Sequence, residues 1–154
     1  MYRKKDNQQT IEDFILPFDG ALAADNRWVI KAQMIPWDDI EGDYSDLFPS
    51  DTGNVAKPAR VAFGALIIKE TLGVSDEETV AQIQENPYLQ YFLGFKQYTN
   101  KKPFDPSLMV RFRAGGRQEM EWYLVRWGDQ VEAQFLAASG DPVSDTTESD
   151  APQE

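Results

Sequence analysis

Four basic side chains lie close together along the chain and are the clearest candidates for binding chemistry. Lys101 and Lys102 precede the segment 104–113, and Arg111 and Arg113 lie at its end. Lysine and arginine side chains hold the phosphates of nucleic acids. The spacing therefore allows a nucleic-acid contact, provided that one structural element presents the arginines to the outside.

The element expected to present them is a helix. Asp105 or Ser107 can cap it, and Pro106 is suited to its first turn. Leu108 and Phe112, four residues apart, would face the core and leave the arginines pointing away from it. Such a helix can enter a major groove with its first residues at base edges. The alternative is an ordinary amphipathic helix with a charged outer face, and spacing alone leaves both open. The residues that could reach a base edge are Ser107, Met109 and Val110.

Composition excludes several classes of enzyme. The 154 residues include no histidine and no cysteine, which excludes Ser-His-Asp and Cys-His catalysis as well as thiolate metal sites. We predict no catalytic residues, no metal site and no cofactor, although the missing histidine and cysteine alone do not exclude a site built from carboxylates. The chain shows no secretory leader and no apolar stretch of membrane length, so we expect a cytoplasmic protein without a membrane partner.

A second charged segment is acidic. Trp37, Ile40 and Tyr44 recur at helical spacing, with Leu47 and Phe48 after them, and predict an amphipathic helix. A solvated acidic face is the preferred interpretation of its carboxylates. The alternative is a metal-dependent nuclease, but one helix face lacks a convergent triad of ligands. The carboxylates are Asp38, Asp39, Glu41, Asp43 and Asp46.

The distribution of charge limits where a nucleic acid could bind. The net charge is −11, which argues against non-specific binding. Residues 55–113, however, hold eight basic against six acidic side chains. The polar arm at the N-terminus adds Arg3, Lys4 and Lys5, which are either solvated or in contact with DNA. Any nucleic-acid face is therefore expected mainly in the middle segment.

The middle segment also predicts the centre of the fold. Pro58 opens an apolar run over residues 61–68, and Gly73 ends it. Ser75 and Glu78 fit a capping box at the start of a following helix. A third, aromatic helix follows Asn86. We predict an all-α protein: a small helical domain with helix-turn-helix-like elements, built around one buried helix, and a disordered acidic C-terminal tail.

Short motifs occur in a defined order over roughly the first two thirds of the chain. They are IEDF at 11–14, DNRWV at 25–29, IPW at 35–37, KP at 57–58, LGVSDEETV at 72–80, QENPYLQYFLG at 84–94 and the FDPS…RFR box at 104–113. In this order they resemble the N-terminal domain of bacterial insertion-sequence transposases of the IS-five type. The resemblance implies a helical domain that recognises element ends, the terminal repeats. In full-length relatives it precedes a catalytic domain in which an Asp-Asp-Glu triad holds two divalent metals. The residues predicted to contact DNA are Lys101, Lys102, Ser107, Arg111 and Arg113.

The remainder of the chain departs from that family pattern. Gly115 and Gly116 interrupt the helix where a relative would continue toward its catalytic domain. We predict the transposase N-terminal domain over residues 1–113, a divergent and partly helical segment over 114–137, and a disordered acidic tail over 138–154. The resemblance thus implies a truncated or frameshifted copy, and we expect a DNA-binding protein that is not an enzyme.

A protein-interaction role is the alternative function. The domain would pair with itself, as a homo-oligomer, or with an intact transposase, and would modulate its activity. An apolar patch from aromatic residues could serve this purpose, although the same residues are more often part of a core. The residues are Tyr88, Tyr91, Phe92 and Phe95.

Overall fold

The protein is described from a computed structural model, and the structure describes residues 1–17, 20–46, 53 and 56–114. Within these ranges the regular structure is helical and contains no strand, which confirms the predicted all-α class. The predicted divergent segment and acidic tail lie outside these ranges from residue 115 onward, as do Leu47 and Phe48. The helices are α1 (Arg27–Met34), α2 (Trp37–Ser45), α3 (Ala59–Leu72), α4 (Asp76–Glu85), α5 (Pro87–Phe92) and α6 (Leu108–Ala114), and a 3-10 turn covers Ile11–Asp13.

Helix α3 is the centre of the described fold, as predicted. It begins directly after Pro58 and ends at Gly73, whose φ of 64° is a left-handed conformation that glycine adopts without strain. Nine of its fourteen residues are buried, so it is apolar on almost every side. Helices α2, α4 and α6 all pack against it.

Local capping signals set the starts of the shorter helices. The Ser75 hydroxyl accepts a hydrogen bond from the Glu78 N–H at the start of α4, as predicted (3.1 Å). The Glu78 carboxylate accepts from the Gln82 side chain and not from the Ser75 N–H, so one half of the predicted capping box is confirmed and the other is wrong. Helix α1 is capped by Asn26, whose side chain accepts a hydrogen bond from the backbone N–H of Trp28 (2.9 Å).

The N-terminal arm packs along α2 and buries Glu41. This carboxylate is 5 % exposed and accepts hydrogen bonds from the Tyr2 hydroxyl (2.9 Å), the Lys5 backbone N–H (2.6 Å) and the Asn7 side chain (2.8 Å). The prediction that Glu41 belongs to the solvated acidic face is therefore wrong, since the arm supplies the donors that a buried carboxylate needs. The other carboxylates of that face are exposed: Asp38, Asp39, Asp43 and Asp46.

Helix α5 contributes aromatic rings to the core. Phe92 lies edge-on to Trp28 and Trp37, with ring centroids 5.1 and 5.3 Å away, and thereby joins α1, α2 and α5. Tyr91 makes an edge-on contact with Phe14 at 6.0 Å. Tyr91 and Phe92 are 1 % and 0 % exposed. The interpretation of the aromatic run as core is thus confirmed for these two residues.

None of the helices in the described ranges has the length and apolar character needed to cross a lipid bilayer.

Candidate nucleic-acid interface

Helix α6 packs on α3 through the predicted face, widened by one further buried residue. Met109 and Phe112 are buried at 0 % and 4 % exposure, whereas Leu108 is only half-buried. Phe112 also lies edge-on to Phe104. The predicted core residue Phe112 is confirmed, Leu108 packs against the core as predicted, and Met109 is a buried residue that the prediction did not include. Met109 is therefore covered by protein and does not face the outside.

The outer face of α6 presents two of the predicted contact residues. Ser107 and Arg111 are exposed, and Val110, between them in sequence, is 57 % exposed. Positions separated by three and four residues lie on one side of a helix. Asp105 accepts a hydrogen bond from the Ser107 N–H (2.9 Å), which lowers the pKa of the Asp105 carboxyl. This turn leads directly into α6.

Arg113, the other predicted arginine, is engaged within the protein. Its guanidinium donates two hydrogen bonds to the Asp76 carboxylate, both 2.9 Å long. The Lys69 ammonium lies 3.2 Å from the same carboxylate. Because these residues belong to α6, α4 and α3, the ion pairs position α6. A DNA contact by Arg113 stays a prediction and would have to coexist with this pairing.

The Asp76 ion pairs make one pH-dependent contribution to stability. Hydrogen bonds from Arg113 and then Lys69 lower the pKa of Asp76 from 3.8 to about 2. The stabilisation, about 1 kcal/mol for a partly exposed network, is present above the unfolded pKa and is lost as pH falls through the folded pKa. In urea titrations we expect Asp76→Asn to be less stable than the wild type at pH 6, and the difference to shrink toward pH 2. An equal difference at both pH values would contradict this assignment.

The loop that carries the two predicted lysines is anchored by a buried amide. Lys101 and Lys102 are exposed, whereas Gln90 of α5 is 1 % exposed. The Gln90 side chain donates to the Thr99 carbonyl (2.8 Å) and accepts from the Thr99 N–H (3.0 Å). Gln84 of α4 donates to the Asn100 carbonyl (2.8 Å). The backbone before the lysines is therefore held on α4 and α5.

Replacing Gln90 by leucine should release this loop. The change leaves the Thr99 backbone groups without their partner, and we expect a loss of about 2 kcal/mol in the free energy of unfolding. Hydrogen exchange at residues 99–102 should accelerate. The exposed Gln97→Leu is the matched control, expected within about 0.5 kcal/mol of the wild type. Unchanged exchange in the Gln90 variant would show that the amide does not hold the loop.

Arg60 is a buried residue whose role sequence reasoning missed. Its guanidinium donates to the carbonyls of Phe92 (2.8 Å), Tyr91 (3.1 Å) and Asn7 (3.3 Å), and lies 4.8 Å from the centre of the Trp37 ring. Burial lowers its pKa to about 10, so it remains charged at neutral pH. The signal in the sequence was an arginine at the start of an otherwise apolar helix.

The described acidic residues do not form a metal site. Within the described ranges, no group of three or more carboxylates is placed to hold an ion.

Comparison with known proteins identifies the family. The family model "Transposase domain (DUF772)" matches residues 17–115. The "Uncharacterized protein ORF8 in nfe locus" of Rhizobium meliloti is 33 % identical over 114 residues, which cover 73 % of this chain and 53 % of that protein. The chain thus spans about half the length of this curated relative. No solved structure matches it. The chain therefore belongs to the transposase-domain family DUF772.

Proposed function

We propose that this chain binds DNA in the cytoplasm and recognises the terminal repeats of an insertion element of the IS-five type. Membership of a transposase-domain family supports a role in transposition. The observation that carries DNA binding is the exposure of Lys101, Lys102 and Arg111 on the basic loop and on α6, which follows it. In the described ranges no carboxylate lies within 4 Å of these three side chains.

The outer face of α6 supports sequence recognition as well as phosphate contact. Ser107 and Arg111 can form hydrogen bonds to base edges, and exposed Val110 can contact a thymine methyl group. The lysines of the loop would hold phosphates and set the register of the helix. Since Met109 is buried, it is no longer a candidate for base contact.

We also propose that the 154-residue chain binds DNA without cutting it. The sequence has no histidine for general base catalysis. The exposed carboxylates of α2 lie on one helix face, whereas two-metal cleavage of a phosphodiester needs ligands that converge on the metals. Incubation with a repeat-bearing duplex and Mg²⁺ or Mn²⁺ should leave both strands intact. Strand cleavage would overturn this proposal.

Recognition of the terminal repeat is tested by comparing the affinity for two DNA sequences. Binding by fluorescence anisotropy should favour a duplex with the terminal repeat of the nearest insertion element over a scrambled duplex. Arg111→Ala is expected to cost about 1–3 kcal/mol on the repeat and to reduce the preference. The exposed Arg27→Ala on α1 is the matched control and should leave the preference unchanged. Equal binding to both duplexes by the wild type would contradict end recognition.

The alternative interaction role receives less support from the aromatic run. Tyr91 and Phe92 are buried in the core, and Tyr88 and Phe95 are half-buried. The Tyr88 hydroxyl accepts a hydrogen bond from the Ala23 N–H (3.0 Å). Because these rings are used within the domain, they do not form the expected surface patch, and DNA binding is the better supported function.

A further inference from the structure

A second basic surface lies away from the outer face of α6. The N-terminal arm, the start of α3 and residues 93–103 line a groove of about 510 Å³. Each of these three segments contributes an exposed lysine, namely Lys5, Lys57 and Lys96. Arg60 lines the same groove from its buried position, and Asp6 is the acidic residue among the described lining. We call this surface the basic groove.

The backbone of each lysine is fixed while its ammonium group is left available. The Lys5 N–H donates to Glu41 (2.6 Å), and the Lys96 carbonyl accepts from the Ile15 N–H (3.2 Å). Residues on either side of Lys57 donate hydrogen bonds to the first two residues of the arm. Across the part of the chain that the structure describes, no carboxylate lies within 4 Å of the three ammonium nitrogens. The groove is thus a preorganised set of unneutralised charges.

Arg60 adds a charge that carboxylates do not neutralise. Its hydrogen-bond partners are three backbone carbonyls, so its positive charge contributes to the potential of the groove beside it. Arg60 also lines a larger groove of about 700 Å³, but there Asp38 and Asp39 stand at the surface. An anion is therefore attracted to the basic groove and repelled from its neighbour.

We propose that the basic groove binds the sugar-phosphate backbone of duplex DNA. The inference rests on the DNA-binding function proposed above and adds a phosphate-contact surface that only the folded chain brings together from three segments. Phe95 and Pro103, which also line the groove, supply apolar surface for the deoxyribose. Thr99 and Pro103 flank the basic loop, so a bound strand can pass from the groove to Lys101 and Lys102.

Lysine footprinting tests the groove directly on the unmodified chain. The protein is acetylated with and without a terminal-repeat duplex, and the reactivity of each lysine is read by mass spectrometry. We expect protection at Lys5, Lys57 and Lys96, whereas Lys4, which is exposed but does not line the groove, stays reactive. Protection confined to Lys101 and Lys102 would overturn the groove and leave the proposed function intact. No binding to the duplex at low salt would overturn both.

The salt dependence of binding by two variants tests the groove independently. The triple variant Lys5→Gln/Lys57→Gln/Lys96→Gln neutralises the groove. The slope of log affinity against log salt should then become less negative by about 0.9 for each phosphate contact that is lost, or by nearly three in total. The control removes an exposed charge outside both the groove and the N-terminal arm with Arg27→Gln, and should leave the slope unchanged. Circular dichroism melting checks that both variants fold. Equal slopes for the two variants would contradict the proposal.

Discussion

Replacing Arg60 by methionine is expected to lower the free energy of unfolding by about 3 kcal/mol. Methionine fills much of the same space but donates no hydrogen bond, so the carbonyls of Phe92, Tyr91 and Asn7 lose their shared donor. The Tyr91 carbonyl keeps a hydrogen bond from the Gly94 N–H (2.9 Å), so the carbonyls left without this donor are those of Phe92 and Asn7. Each carbonyl left unpaired costs about 1–3 kcal/mol, and part of this cost is offset because a charge no longer has to be buried. Urea titration measures the change.

Two further variants separate the hydrogen bonds of Arg60 from its charge. Arg60→Lys keeps the charge but lacks the planar fork that reaches three carbonyls, so we expect it to recover less than half of the stability that Arg60→Met removes. Arg111→Met, at an exposed site, should change stability by less than about 0.5 kcal/mol. A decrease of under about 1 kcal/mol in Arg60→Met would show that water replaces the guanidinium without cost.

Replacing Phe92 by alanine should have the largest effect on stability, about 4 kcal/mol. The ring is 0 % exposed and its removal leaves a cavity beside Trp28 and Trp37. Removal of a buried phenylalanine side chain costs about 3–5 kcal/mol through lost burial and the remaining cavity. This is a large share of the stability of a small domain. Thermal and urea unfolding measure it.

Phe95→Ala is the control for the same change at a half-buried site three residues further along. The variant removes the same atoms, but the Phe95 ring buries less apolar surface than the Phe92 ring. We therefore expect at most about half of the loss in the free energy of unfolding. Equal decreases in stability at Phe92 and Phe95 would contradict the assignment of the core to α5.

The parts of the fold that the sequence predicts are those set by neighbouring residues. Pro58 and Gly73 mark the ends of α3, and Ser75 marks the start of α4, because helix starts and stops depend on local backbone chemistry. Burial of α3 follows from its nearly continuous apolar run. These features need no knowledge of distant contacts.

The features that the sequence analysis missed depend on contacts across the fold. Glu41 is buried because the N-terminal arm, more than thirty residues earlier, supplies its hydrogen-bond donors. A signal was nevertheless present: Glu41 is four residues after Trp37 and three before Tyr44, so it belongs to the buried stripe of α2 by spacing, although its residue type suggests the opposite. The prediction of a solvated side chain relied on the charge of Glu41 and not on its spacing.

In the candidate site, too, the sequence predicts the features set by neighbouring residues and misses those that depend on distant contacts. Exposure of Lys101, Lys102 and Arg111 agrees with the predicted outer face, because that prediction needs only the orientation of one helix and its loop. The pairing of Arg113 with Asp76 joins two helices distant in sequence, and periodicity within α6 does not indicate it. The basic groove combines three separate segments and becomes visible only in the folded chain.

The most direct test of DNA binding is a salt titration of the wild-type chain on a terminal-repeat duplex and on a scrambled one. Between about 50 and 200 mM salt, affinity for the repeat should fall with a log–log slope of about −2 or steeper, since Lys101 and Lys102 alone would each neutralise a phosphate and release close to one counterion. Affinity for the scrambled duplex should be weaker throughout. The triple variant Lys101→Ala/Lys102→Ala/Arg111→Ala should show a slope closer to zero by about two and should lose the preference for the repeat. Absence of binding to either duplex at the lowest salt would contradict the proposed function.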